Sequence, residues 1–225
     1  MARLRQSGPY IHATWAAHLL AGNKSCEWAY QFQALHDKDS YNQAPDSGNW
    51  ALYRMRHTSL LRRVHEAWDE EGYDCTLENQ NSFFLKQWDA TLGGKPDLIV
   101  SKGDSNIIID TKTGRPNDSH ILQVMVYMYA VPLAHSKYHG VTFEGRVAYE
   151  NYEVQVPSVD DEFIYELESL FRRLTSEEPA RRVPSLEECK WCKITSDDCL
   201  ERMGDETESY VKPLPPILTP AELPL

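Results

Sequence analysis

The 225-residue sequence has no apolar run near the ~18–20 residues that a membrane-crossing helix needs. Its N-terminus lacks the apolar segment of a signal peptide, so a cytoplasmic location with no membrane partner is expected. There is no internal repeat. No Gly-x-x-x-x-Gly-Lys-Ser/Thr phosphate loop occurs, which excludes a P-loop motor. Positive charge is also short: 23 Lys and Arg against 34 Asp and Glu leave a net charge of −11, unlike a non-specific nucleic-acid coat. The basic pairs Arg54/Arg56, Arg62/Arg63, Arg172/Arg173 and Arg181/Arg182 still leave room for one attractive cleft on an acidic molecule. With 41 % apolar and 25 % charged residues, the composition is that of one globular domain with ample material for a core.

The informative stretch runs from Gly94 to Tyr127. Pro96 suits the first residue of a strand, where its nitrogen owes no ladder hydrogen bond. Leu98-Ile99-Val100 and Ile107-Ile108-Ile109 are continuous apolar runs, the pattern of strands buried on both faces. Ser101 to Asn106 is turn-forming, so the two runs make a hairpin that brings Asp97 and Asp110 together at one end. Alternation then places Ile108, Asp110 and Lys112 on one face, with the last two about 7 Å apart at their Cα atoms. Two aspartates and a lysine at the end of a hydrophobic hairpin are costly to bury unless something binds there. Carboxylate oxygens suit Mg²⁺ or Mn²⁺, and a lysine beside them can align a water. The implied chemistry is metal-dependent hydrolysis of a phosphodiester. Asp-x-Lys alone is also the pattern of a surface ion pair on an ordinary hairpin.

Asp97 followed by Asp110-Thr111-Lys112 resembles the PD-(D/E)xK nuclease signature, and Thr113-Gly114 with Gln123-x-x-x-Tyr127 resembles its RecB-type branch. The resemblance implies an α/β fold with a restriction-endonuclease-like core, a mixed β-sheet flanked by helices. It also implies an exonuclease acting on single-stranded DNA ends. Asp97, Asp110 and Lys112 would be catalytic. Gln123 and Tyr127, four apart on one helix face, would steady the lysine side or position the strand. The carbonyl of Thr111 is a further metal ligand in this reading. Such nucleases also carry a metal-ligating histidine on a helix before the Pro-Asp strand. Here Trp50 to Glu70 reads as a long helix whose buried stripe is His57, Leu60, Leu61, Val64 and Trp68. His57 lies on the stripe and His65 lies about 80° round from it, so His57 is preferred; the alternative is that it is a hydrogen-bonded core histidine. The second acid is Asp where many relatives carry Glu.

Elsewhere, Thr14 is expected to cap a helix over Trp15–Leu20, and Ser25 a second helix beginning at Cys26. Asp37–Asn49 reads as a mobile connection. Asp74–Glu78 and Ser82–Leu85 read as strands leading to a Gly93-Gly94 hinge, with Glu78 either near the site or, preferred, an exposed acidic strand residue. Asp118 or Ser119 should cap a helix over His120–Leu133. Val147–Val156 reads as a hairpin and Asp160–Leu174 as an amphipathic helix. Residues 1–204 would form the nuclease domain and 205–225 a proline-rich tail suited to an extended or partner-docking role.

Cysteine is scarce, five residues, yet Cys189-x-x-Cys192 and Cys199 crowd one short segment. In a cytosolic protein this clustering points to a metal centre rather than disulfides. A fourth thiol must come from Cys26 or Cys75. Cys26 is the better choice, because Cys75 follows Asp74 in an apparent strand with no partner nearby. Spacing alone leaves zinc and iron–sulfur open. One early cysteine and three after the nuclease core resemble the iron–sulfur RecB-type nucleases, including the CRISPR-associated exonuclease and the AddB nuclease domain. That resemblance implies a structural [4Fe–4S] cluster on Cys26, Cys189, Cys192 and Cys199, clasping the N- and C-terminal segments, with zinc the alternative. It also implies protein partners in repair or CRISPR adaptation. A weakly active or inactive DNA-binding subunit of such a complex is the second reading of the chain.

Overall fold

Leu98–Lys102 (β5) and Ser105–Thr111 (β6) form the expected hairpin, paired antiparallel with Leu98 opposite Ile109. The computed structural model of the protein describes residues 2–45 and 50–204; the proline-rich tail at 205–225 lies outside them. The hairpin is the centre of a five-stranded sheet ordered β2-β5-β6-β7-β8, with β2 at Asp74–Leu77, β7 at Glu144–Ala148 and β8 at Glu153–Val156. β6 and β7 run parallel. A parallel pair needs a crossover, and the helix Asp118–Ala134 (α4) provides it.

The two apolar runs behave as double-sided strands should. Ile99, Ile108 and Val147 pack into a large core with α4, whereas Leu98, Val100, Ile107 and Ile109 pack on the other face. That second face is covered by Leu60, Leu61, Val64 and Trp68 of α3, the helix Trp50–Glu70, whose expected bounds are those observed. α4 is apolar almost all round, as a helix buried on most sides must be. It packs against α1 (Ala13–Leu20) and, through the shared core, against α5 (Asp161–Thr175).

A second, smaller sheet of order β1-β4-β3 joins Tyr10–His12 (β1), Phe83–Gln87 (β3) and Ala90–Gly94 (β4). Among the described residues there are thus two sheets where one was expected. The Gly93-Gly94 pair is not a hinge but the end of β4. A Cβ on Gly94 would lie 2.6 Å from the Phe83 ring and 2.8 Å from the Tyr127 ring. Both rings are buried, so glycine is required by close approach. Gly94→Ala should therefore cost about 1–3 kcal/mol, read as a lower urea midpoint at unchanged slope.

Helix starts differ slightly from the sequence reading. α1 begins at Ala13 behind His12, not behind Thr14. The second helix, α2, spans Glu27–Leu35 with Cys26 at its N-cap position, and the cap is supplied from elsewhere. The Glu188 carboxylate accepts from the backbone N–H groups of Ser25 at 2.7 Å and Cys26 at 3.1 Å, and an anion is favourable at that end of a helix. Asn117, not Asp118 or Ser119, caps α4 by accepting from Ser119 N–H. The stretch Asp37–Pro45, read as part of a mobile connection, is tied down. Gln43 bridges to Ile194, Ala44 N–H donates to the Lys193 carbonyl, and Asn42 donates to Asp197. Residues 46–49 of that connection are outside the described residues.

Candidate active site

The hairpin register puts Asp97, just before β5, beside Asp110 and Thr111 at the end of β6. Asp97 is 8 % exposed and is held from three directions. The N–H of Thr111 donates to its Oδ2 at 2.8 Å, the Thr111 hydroxyl donates at 2.7 Å, and His57 Nε2 lies 3.1 Å away. Burial alone would push this carboxyl up, but His57 and Thr111 outweigh it and hold Asp97 below its ordinary range. The hydrogen bond to Asp97 correspondingly raises the imidazole of His57. His57 sits where its stripe on α3 predicted. His65 is not part of this group.

Asp110 and Lys112 form the second half. Lys112 Nζ lies 2.7 Å from Asp110 Oδ2 and donates to Gln123 Oε1 at 3.0 Å. Burial pushes the Asp110 carboxyl up to about 6 even with the Lys112 charge alongside. Burial acts against the ammonium of Lys112, but the charges of Asp110 and Asp97 more than compensate and its pKa is raised. Asp110 Oδ2 is buried and accepts no well-aligned hydrogen bond among the described residues. The counter-charge of that atom is the Lys112 ammonium, without which so buried a carboxylate would be costly.

Gln123 and Tyr127 lie side by side on α4, as their spacing required. The Gln123 amide donates to Tyr127 OH at 2.6 Å and to Asp110 Oδ1 at 3.5 Å, and Tyr127 OH reaches the Lys95 carbonyl at 3.5 Å. Tyr127 is 3 % exposed, so it has no surface to offer a strand. Its place is behind Gln123, and through it behind Lys112.

For one acidic group here the structure favours the less preferred of its two readings. Glu78 is not an exposed strand residue. β2 ends at Leu77, and Glu78 begins a short 3-10 turn, Glu78–Asn81, with φ of +33°. Its carboxylate converges with His57 and Asp97, ligand atoms all lying within 4.8 Å of one another. The turn is pinned by buried Asn81, which donates to the carbonyls of Thr76 at 2.8 Å and Pro96 at 3.2 Å, while Glu78 N–H donates to the Asp97 carbonyl at 2.9 Å. A non-glycine residue in the left-handed region is strained, and such strain concentrates at functional sites. The sequence signal was the run Asn79-Gln80-Asn81, which ends a strand. An imidazole and two carboxylates at this spacing fit a divalent cation. Glu78→Gln should weaken Mn²⁺ binding about 10–100-fold, measured by calorimetric titration. Two further histidines, His18 and His120, stand within reach of the Lys112 charge; burial and that charge lower both, His120 to about 4.

A family model for the PD-(D/E)XK nuclease superfamily matches residues 5–196. The chain belongs to that superfamily. Its members are metal-dependent nucleases, which is the chemistry that the paired acids and lysine suggest. No curated protein matches the chain. Among solved structures it is similar to one described as the crystal structure of SSO0001, with 15 % identity, 82 % of each chain covered and a TM-score of 0.45.

The cysteines of this superfamily member fall into two groups. Cys26, Cys189, Cys192 and Cys199 all line one cavity of about 410 Å³. Cys26 is at the start of α2, and Cys189 lies in α6 (Leu186–Trp191). Burial raises the thiols of Cys192 and Cys199, and each also feels Cys26 and Cys189. Cys75 is elsewhere, half-buried in β2 with its thiol toward the Tyr73 carbonyl. Among the described residues, no helix is long and apolar enough to cross a membrane.

Proposed function

We propose that the protein is a metal-dependent deoxyribonuclease, an exonuclease on single-stranded DNA ends, with a structural [4Fe–4S] cluster. The observation that carries the nuclease reading is the continuous chain Tyr127–Gln123–Lys112–Asp110, set beside Asp97, His57 and Glu78. His57, Glu78, Asp97 and Asp110 would hold Mg²⁺ or Mn²⁺, with the Thr111 carbonyl a further candidate. A bound divalent ion supplies polarisation of the phosphodiester and a lower pKa for the attacking water.

The remaining work falls to the chain's own groups. Thr111 fixes Asp97 through both its N–H and its hydroxyl, so that carboxylate does not rotate. Gln123, oriented by Tyr127, holds Lys112 Nζ in place. The Lys112 ammonium then aligns the attacking water and offsets charge developing on the phosphate. The exonuclease and single-strand parts of the reading rest on the resemblance to the RecB-type branch.

The four thiols around one cavity support a resident metal group, and the choice of [4Fe–4S] over zinc rests on the resemblance to the iron–sulfur RecB-type nucleases. Cys26, Cys189, Cys192 and Cys199 would be the ligands, supplying a crosslink rather than redox catalysis.

The test is degradation of end-labelled single-stranded DNA by anaerobically purified protein with Mn²⁺, beside absorbance spectra of the same sample. Shortening from one labelled end by a brown protein is the expected result. No cleavage of any DNA by folded, brown protein would overturn the enzyme and leave a DNA-binding subunit.

A further inference from the structure

The first two turns of α3 carry large side chains that the rest of the described residues leave exposed. Trp50 and Tyr53 are each 44 % exposed, and residues 50–56 are exposed throughout. At about 100° per residue, Trp50, Tyr53 and His57 fall within one 60° sector of the helix. Their rings form a ladder. Trp50 meets Tyr53 edge-on with centroids 5.7 Å apart, and Tyr53 stacks over His57 at 5.9 Å with planes 27° apart. Arg54 and Arg56 flank the ladder on either side and are themselves exposed.

The ladder does not end at random. Its inner rung, His57, is the residue that touches Asp97 and joins the cation-binding group. Its middle rung, Tyr53, feels the charges of Lys112, Asp97 and Asp110. Its outer rung, Trp50, reaches the rim of the cavity lined by the cysteines. Whatever lies along these rings is therefore led into the site. Resting on the nuclease reading, we propose that Trp50 and Tyr53 are a stacking platform for the unpaired bases of a single DNA strand, with Arg54 and Arg56 beside its phosphates.

Every base has a π-face, so aromatic stacking binds any sequence. In a duplex those faces are already covered by neighbouring bases. The platform thus selects single strands from their availability alone, on a chain whose overall charge of −11 gives no general attraction for DNA. Rings half-covered by their own helix can stack a base on the exposed side without moving.

The test uses full-length Lys112→Ala protein with Mn²⁺, or wild type in EDTA should that variant not fold. Binding to a fluorescein-labelled 20-mer of thymidine and to a hairpin duplex is followed by anisotropy. The expected result is tighter binding of the single strand, about tenfold or more of which is lost in Trp50→Ala/Tyr53→Ala. Trp50→Phe/Tyr53→Phe should restore it, and Tyr165→Ala, an exposed aromatic on α5, should leave it unchanged. An alanine double variant that is folded and binds the 20-mer within twofold of its parent overturns the proposal and leaves this face for a protein partner. The nuclease reading has its own readout: if wild type cuts no DNA and the parent binds none, both fall together, whereas cleavage with ring-independent binding sinks the platform alone.

Discussion

Lys112→Ala is expected to reduce DNA hydrolysis by about 10²–10⁴-fold, the range for loss of a group that acts on the transferred proton or the developing charge. Two effects of burial combine here. Nζ is held at 2.7 Å from Asp110 and 3.0 Å from Gln123, so the ammonium is fixed before any substrate arrives. Its removal takes away a positioned charge that water cannot replace in so enclosed a site. It also leaves Asp110 buried with one less counter-charge. That carboxyl already lies at about 6 with the lysine present; without it the carboxyl rises further, and more of it is protonated at neutral pH. A protonated carboxyl is a poorer partner for Mg²⁺ or Mn²⁺, so metal affinity should fall with the rate.

Breaking a buried ion pair by removing one member commonly costs about 3–5 kcal/mol. Here the cost should be smaller, because Asp110 can neutralise itself by taking a proton. The variant is thus expected to stay folded while losing activity. Lys112→Arg should not restore it, since the planar fork does not fit between Asp110 and Gln123 as a compact ammonium does. Initial rates on end-labelled DNA at saturating Mn²⁺ and a thermal melt separate the two effects. Cleavage by Lys112→Ala within tenfold of wild type would remove the lysine from the reaction.

The parts of this fold that could be read in advance are those set by local pattern. Three consecutive branched residues in each hairpin strand required cover on both faces, and both are covered. The stripe His57, Leu60, Leu61, Val64 and Trp68 required a helix, and it selected His57 as the histidine facing Asp97. What could not be read depends on distant chain. Tyr10–His12 is too short to show a period, and its parallel pairing with β4 creates the second sheet. Gly94 looks like a flexible joint in sequence, whereas Phe83 and Tyr127 decide its role. Glu78 follows a genuine strand pattern, and only the turn after Leu77 swings its carboxylate toward His57. Ser25 is the cap of α2 that local sequence offers, but Glu188, from the far end of the domain, takes that place.

That last contact bears on the second large prediction. With the proposed metal group bound, exchanging Cys199 or Cys26 for Ser, or stripping that group, is expected to lower the melting temperature by about 10–20 °C. A crosslink closing a loop of ~100 residues contributes about 4–5 kcal/mol in the chain-entropy model, and for a domain of this size each kcal/mol moves the transition by about 2–4 °C. The clasp would join α2 to the segment around α6, which are otherwise tied by a small apolar cluster of Trp28 and Ala29 with Ile194 and Cys199 and by polar contacts. Gln31 donates to the carbonyls of Ser176 at 3.0 Å and Glu178 at 2.8 Å and accepts from Ala180 N–H, Trp28 N–H donates to the Arg181 carbonyl, and Glu188 caps α2. Those bonds explain why the loss should be a lowered transition and not immediate collapse. They also hold Cys26 and Cys189 at one cavity, which would limit the ordering cost of binding the proposed metal group. The main core around α4 shares none of these residues, so Lys112 and Asp110 should keep their geometry below the new transition. Calorimetry of wild type, Cys199→Ser and Cys75→Ser distinguishes the cases. Cys75→Ser should keep both the brown colour and the transition; equal melting of wild type and Cys199→Ser would mean that the four thiols carry no crosslink.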